Sequence, residues 1–165
     1  MIIGGYNGGS ISGIEAVNLD GDNINCDPTD LPYKVYDHAS VYSPVLEASV
    51  TCGGFDENGN FLSKCILQTK RNKSNQFPSL ISKRWGLSLT AISNKIFAVG
   101  GYPNKNTMET INLNTADRQW KKEELPFSVE DHCSVGLGNK IIVTGGYDES
   151  INVSKTILKF LCMKQ

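Results

Sequence analysis

The chain has no apolar run approaching the roughly 20 residues that a membrane span requires. Its start, Met1-Ile2-Ile3-Gly4-Gly5, has neither the basic region nor the apolar region of a secretory leader. A soluble, unsecreted, cytoplasmic protein is expected. There is no C-x-x-C and no histidine cluster, and the cysteines (Cys26, Cys52, Cys65, Cys133, Cys162) are odd in number. That pattern argues against a zinc site and against a disulfide framework, so reduced, mostly buried thiols and no cofactor are expected. One-sided charge is lacking too: 16 Lys plus Arg stand against 17 Asp plus Glu. No global field draws in nucleic acid or anionic lipid, and neither is an expected partner. The charge is split along the chain, with nine acids and one base in residues 1 to 57 and eight acids and fifteen bases beyond them; surface drift accounts for this without a function. With 165 residues, 39% of them hydrophobic and 20% charged, one folded domain is expected.

A repeat fills the chain. A diglycine followed by an aromatic occurs at Gly4-Gly5-Tyr6, Gly53-Gly54-Phe55, Gly100-Gly101-Tyr102 and Gly145-Gly146-Tyr147, at intervals of 49, 47 and 45 residues. Each doublet ends a short apolar run, clearest in residues 95–99 and 140–144, whose length and β-branching read as strand. A second alternating segment follows each doublet, then a turn rich in Asp and Asn. A weaker strand comes next, marked by Trp120, and then an apolar-Pro step at Leu31-Pro32, Phe77-Pro78 and Leu125-Pro126. Proline is expected to end that strand by removing its donor. Further on, Asp37-His38 is echoed by Asp131-His132, with Arg84-Trp85 read in the same place. Repeat two is degenerate, with Lys64 in place of the expected Glu and Asn72 where Trp is expected. It also carries a basic stretch, Lys70, Arg71 and Lys73, that reads as a solvated loop.

Four short strands per period of about 47 residues is the pattern of a propeller blade, in which stacked sheets supply the core. Diglycine-aromatic, then Glu (Glu109), then Trp (Trp120), then Leu-Pro (Leu125-Pro126) resembles the kelch repeat, most fully in repeat three. The resemblance covers essentially the whole chain. It implies an all-β, kelch-type propeller forming an incomplete arc of about three and a half four-stranded blades. Blade one holds strands B to D in residues 1–32, blade two 33–78, blade three 79–126, and blade four strands A to C in 127–165. Propellers close with about four to eight blades. An open face forfeits on the order of 10 kcal/mol, so a longer protein of about six blades, or association through the open ends, is expected.

Catalysis is not expected. Asp37-His38 and Asp131-His132 occupy one position of two repeats, and neighbouring strand side chains face opposite ways, so they do not share a ligand readily. Kelch-type oxidases hold copper with Tyr and His, and there is no His cluster to carry that over. What the resemblance implies is recognition, with a protein or peptide lying across the loops at one end of the propeller. Carried over by position, the contacts are Tyr6, Phe55, Tyr102 and Tyr147 after the doublets, and Asp37, His38, Arg84, Trp85, Asp131 and His132 at the openings of the inner strands. Arg84, the permanent cation of that set, favours a mixed-charge ligand. BTB-kelch adaptors, which present targets to a cullin ubiquitin ligase through a BTB region outside these residues, are the first reading. An actin-binding or cytoskeletal scaffold is the second, and a kelch-type enzyme the third.

Overall fold

The computed structural model describes residues 2–8, 10–17, 26–69, 74–147 and 159–162. They form antiparallel sheets with no helix among them. The first sheet is β1 (Ile2–Tyr6), β2 (Ser10–Val17) and β3 (Cys26–Val35). The second is β4 (Ala39–Ser43), β5 (Ala48–Cys52), β6 (Cys65–Thr69) and β7 (Ser74–Phe77). The third is β8 (Ser88–Ile92), β9 (Lys95–Val99), β10 (Thr107–Asn112) and β11 (Trp120–Glu124). The fourth is β12 (Glu130–Leu137), β13 (Lys140–Tyr147) and β14 (Lys159–Cys162). Within each sheet the strands run in chain order, and β4, β8 and β12 lie side by side, which is the arrangement of a partial β-propeller.

The glycine doublets are where successive blades meet. Gly100, at φ +56°, is tucked under the next blade's linker: a Cβ there would lie 2.3 Å from the Val129 carbonyl oxygen. Gly101, at φ +87°, lies against its own blade's linker, where a Cβ would come within 2.7 Å of the Trp85 carbonyl oxygen. Its amide donates to the Val129 carbonyl at 2.9 Å, as the Gly54 amide donates to Arg84. Only a residue without a side chain takes this backbone and this gap together.

The ladders set the equivalences between blades and correct four of those read from sequence. Tyr36 bridges Phe55, Trp85 bridges Tyr102, and Glu130 pairs with Tyr147. Trp85 therefore matches Tyr36 and Glu130, while Arg84 matches Val35 and Val129. The position of Asp37 and Asp131 is taken by Gly86, and all three have positive φ, at 51°, 52° and 60°. The Leu-Pro step of blade two is Leu80-Ile81: Leu80 donates to Ser63 as Leu125 donates to Asn106. Asn72 lies outside the described residues; Ser74, opposite Gln68, stands where Trp120 stands opposite Ile111. Ile66, rather than Lys64, occupies the Glu109 position. Proline ends β7 and β11 but not β3, where Pro32 falls in a register shift: Gly13 pairs with Asp30 and Ile11 with Val35. A bulge leaves its missing donor without consequence.

Successive blade contacts each have an apolar core and differ along their inner strands. Between the second and third sheets, Leu87 and Leu89 belong to a core with Phe77, Ile96, Ile111 and Trp120, and Ala39 and Val41 pack on it. Between the third and fourth, Phe97, Val99 and Met108 share a core with Ile141 and Val143, but the corresponding inner-strand pairs are polar: Ser88 Oγ with His132 Nε2 at 2.7 Å and Thr90 Oγ1 with Ser134 Oγ at 2.5 Å. Trp120 crosses to the second sheet, donating from Nε1 to the Pro78 carbonyl at 2.8 Å and meeting Phe77 edge-on. On the far face of the fourth sheet, Val135 and Leu137 are 56% and 64% exposed, although Thr90, which matches Val135, is buried under the neighbouring sheet.

The cysteines depart from expectation. Cys52 and Cys65 face each other directly in the ladder and form a disulfide, with Cα atoms 4.2 Å apart. Their separation of 13 residues did not reveal this, because only the register makes them neighbours. Cys133 is a free thiol and is exposed, not buried.

Candidate functional site

The end of the sheets that carries the doublets gathers a continuous row of rings. Tyr36 stacks on Phe55 with centroids 4.9 Å apart and an 11° interplanar angle. Phe55 meets Trp85 at 5.3 Å, and Trp85 meets Tyr102 at 5.7 Å. Phe61 inserts edge-on between Phe55 at 5.1 Å and Tyr102 at 5.9 Å. Lys105 then bridges to the next blade, its Nζ 5.2 Å from the Tyr102 ring and 5.6 Å from the Tyr147 ring. It also pairs with Glu130 at 2.9 Å. The row arises from the repeat: each bridging pair places two side chains side by side at the sheet end, and adjoining blades bring successive pairs into contact. Tyr102 and Tyr147 are 39% and 41% exposed, whereas Tyr36, Phe55, Phe61 and Trp85 are half-buried.

Of the residues expected to bind, Phe55, Trp85 and Tyr102 touch one another, and Tyr147 joins them through Lys105. Asp37 and Asp131 are exposed and flank Gly86, linked by the Asp131 amide to the Gly86 carbonyl (2.8 Å) and the Gly86 amide to the Asp37 carbonyl (3.2 Å). Burial, and then the negative charges of Glu130 and Asp37, hold the Asp131 carboxyl above its ordinary range. His38 is half-buried beside Gly54. Tyr6 lies in β1 opposite Ser10, and its side chain is outside the described residues. Tyr36, Phe61 and Lys105 were missed. The signal for Tyr36 was its place just before Asp37, which the structure shows to be a repeat position held by Trp85 in the next blade.

Two expected contacts are interior. Arg84 is fully buried. Its guanidinium donates to Glu109 Oε1 at 2.6 Å, to the Gly100 carbonyl at 2.7 Å, and to Thr107 Oγ1 at 3.1 Å. Glu109 also accepts from the Ile81 and Ser82 amides, tying the linker to the third sheet. Burial lowers the Arg84 pKa more than the adjacent Glu109 raises it. His132 is also buried, under the Ser88 contact, and burial pushes its pKa down to about 4, so its ring is neutral. Neither reaches a ligand. The reasoning that Arg84 favours a mixed-charge partner therefore falls. Among the described residues no group of three or more His, Cys, Asp or Glu side chains is placed to hold a metal ion, and no helix is long and apolar enough to cross a membrane.

The fold and its doublets make this a protein of the propeller class. No family model matches the chain. It is similar to the Kelch repeat and BTB domain-containing protein 2 of Cowpox virus strain GRI-90 / Grishak, 27% identical over 74% of this chain and 22% of that protein. The protein of the same name from strain Brighton Red is 28% identical over 70% of this chain and 21% of that one. The chain thus spans about a fifth of the length of the curated relatives it matches. Among solved structures, that of YjhT superposes with a TM-score of 0.76 over 87% of this chain and 54% of that one, at 10% identity, a likeness of fold alone. With the in-register glycine doublets, the sequence similarities support a kelch-repeat protein, and the fold is a partial β-propeller.

Proposed function

We propose that the chain is the recognition part of a non-enzymatic protein-interaction module whose contact surface is the aromatic row. The row itself carries this reading: rings on a rigid sheet end bind with little ordering entropy, and aromatic anchors dominate interface energies. Tyr102 and Tyr147 lead, being the rings with the most open area. The BTB region in the relatives' names supports the finer reading of an adaptor that delivers targets to a cullin ubiquitin ligase. The test is a peptide-display selection on the full chain, repeated on Tyr102→Ala/Tyr147→Ala. Enriched peptides should lose about tenfold or more in affinity on the variant, with thermal unfolding unchanged. Failure to enrich any peptide, or equal binding to both proteins, refutes the surface.

A further inference from the structure

We propose that the aromatic row receives a basic polypeptide segment, with lysine or arginine side chains lying over its rings and ending at Asp37 and Asp131. This rests on the reading of the row as an interaction surface and adds the chemistry of its partner.

The charge around the row is what remains once internal pairs are removed. Lys34 is matched by Glu57 at 3.2 Å and Lys105 by Glu130 at 2.9 Å. Asp56 is occupied by its own loop, accepting from the Asn58 and Asn60 amides at 2.9 Å each. Arg84, the cation expected at the surface, is fully buried against Glu109. Asp37 and Asp131 are left exposed and in no ion pair among the described residues; Lys83, which matches Lys34, is also exposed and in none, so two carboxylates stand against one cation.

Their placement is built into the backbone. Asp37 directly follows Tyr36 of the row, and Asp131 directly follows Glu130, which pairs with Tyr147. The left-handed conformation shared by Asp37, Gly86 and Asp131 puts the three residues in one hydrogen-bonded line across adjoining blades. A side chain at Gly86 would collide with Asp131, whose Oδ1 would lie 2.6 Å from the added Cβ, so the glycine leaves that carboxylate its place. Ring faces with carboxylates at one margin favour a cation twice, through the quadrupole and through the charge, and disfavour an acidic chain. The molecule already shows the first of these interactions, with Lys105 held over Tyr102 and Tyr147.

The experiment uses the full chain and two fluorescein-labelled peptides, one alternating arginine with glycine and one alternating glutamate with glycine, read by polarisation. The basic peptide is expected to bind at least about tenfold more tightly than the acidic one. Its affinity should fall about tenfold in Asp37→Asn/Asp131→Asn and fall with added salt. Stronger binding of the acidic peptide, or an unchanged affinity in the Asn variant, overturns the proposal. Display-selected peptides supply the arm that separates the two readings. If they depend on Tyr102 and Tyr147 but carry acidic or neutral sequences, the surface stands and its basic partner does not.

Discussion

The Arg84–Glu109 pair can be tested against a control that the molecule carries one blade away. The matching positions hold Val35, at the end of β3, and Ile66, in β6 of the second sheet, both buried in one apolar cluster with Leu31 and Leu62. Arg84→Val leaves the Glu109 carboxylate buried without its cation, and Glu109→Ile leaves the guanidinium buried without its anion. Each single change should cost about 3–5 kcal/mol. The double replacement reproduces the chemistry next door and removes both charges together. What then remains unsatisfied is the Ile81 and Ser82 amides and the Gly100 carbonyl. With those groups short of partners, the double change should cost about 1–3 kcal/mol. Singles summing to about 6–10 kcal/mol against that figure give a coupling of at least about 3 kcal/mol. The neighbouring blade supplies a third substitution too: Pro32 matches Ile81 and has no N–H to satisfy. Arg84→Val/Glu109→Ile/Ile81→Pro should therefore recover part of the residual loss. Urea unfolding followed by the fluorescence of Trp85 and Trp120 measures the four variants and the parent at constant slope. Additive singles and double, or singles below about 1 kcal/mol, would refute the claim that this pair is a desolvated clamp between linker and sheet.

His132 should make stability pH-dependent. Its pKa of about 4 in the folded protein lies below the ordinary 6.5, so the unfolded chain binds its proton first as pH falls. Stability should be complete above about pH 6.5 and decline towards pH 4 by at most about 3 kcal/mol. Ser88→Ala/His132→Leu, which copies Ala39 and Leu87, should flatten that limb in urea titrations; an unaltered profile would assign it to other groups. The Cys52–Cys65 disulfide closes a short loop, and its loss should cost about 2–3 kcal/mol. The paired Val99 and Met108 of the third sheet give the replacement, Cys52→Val/Cys65→Met, which should keep the fold and abolish sensitivity of the melting temperature to reductant. Alkylation of Cys52 and Cys65 in the unreduced native protein would show that the bond is not formed.

The repeat was legible in the sequence because its strongest mark is a steric one. A residue without Cβ is required where two linkers clasp the strand end, so the doublets and their spacing carried through to the blade contacts at Gly53, Gly54, Gly100, Gly101 and Gly146. The marks that misled were those whose chemistry depends on a partner in another blade. Aligned on proline, the step of blade two falls at Phe77-Pro78. In the structure the position after Leu80 is Ile81, and its amide is needed by Glu109. Where Ile66 replaces that glutamate no acceptor waits, and Pro32 is tolerated at the matching site. The presence of proline and the absence of glutamate are thus one fact read at two places, and neither is visible alone. Misplacing the step moved Arg84 two residues along, from a buried linker position into a surface one. Once it is returned to the interior, the surface loses its cation and gains a row of rings bordered by Asp37 and Asp131, and the expected ligand changes from mixed charge to basic.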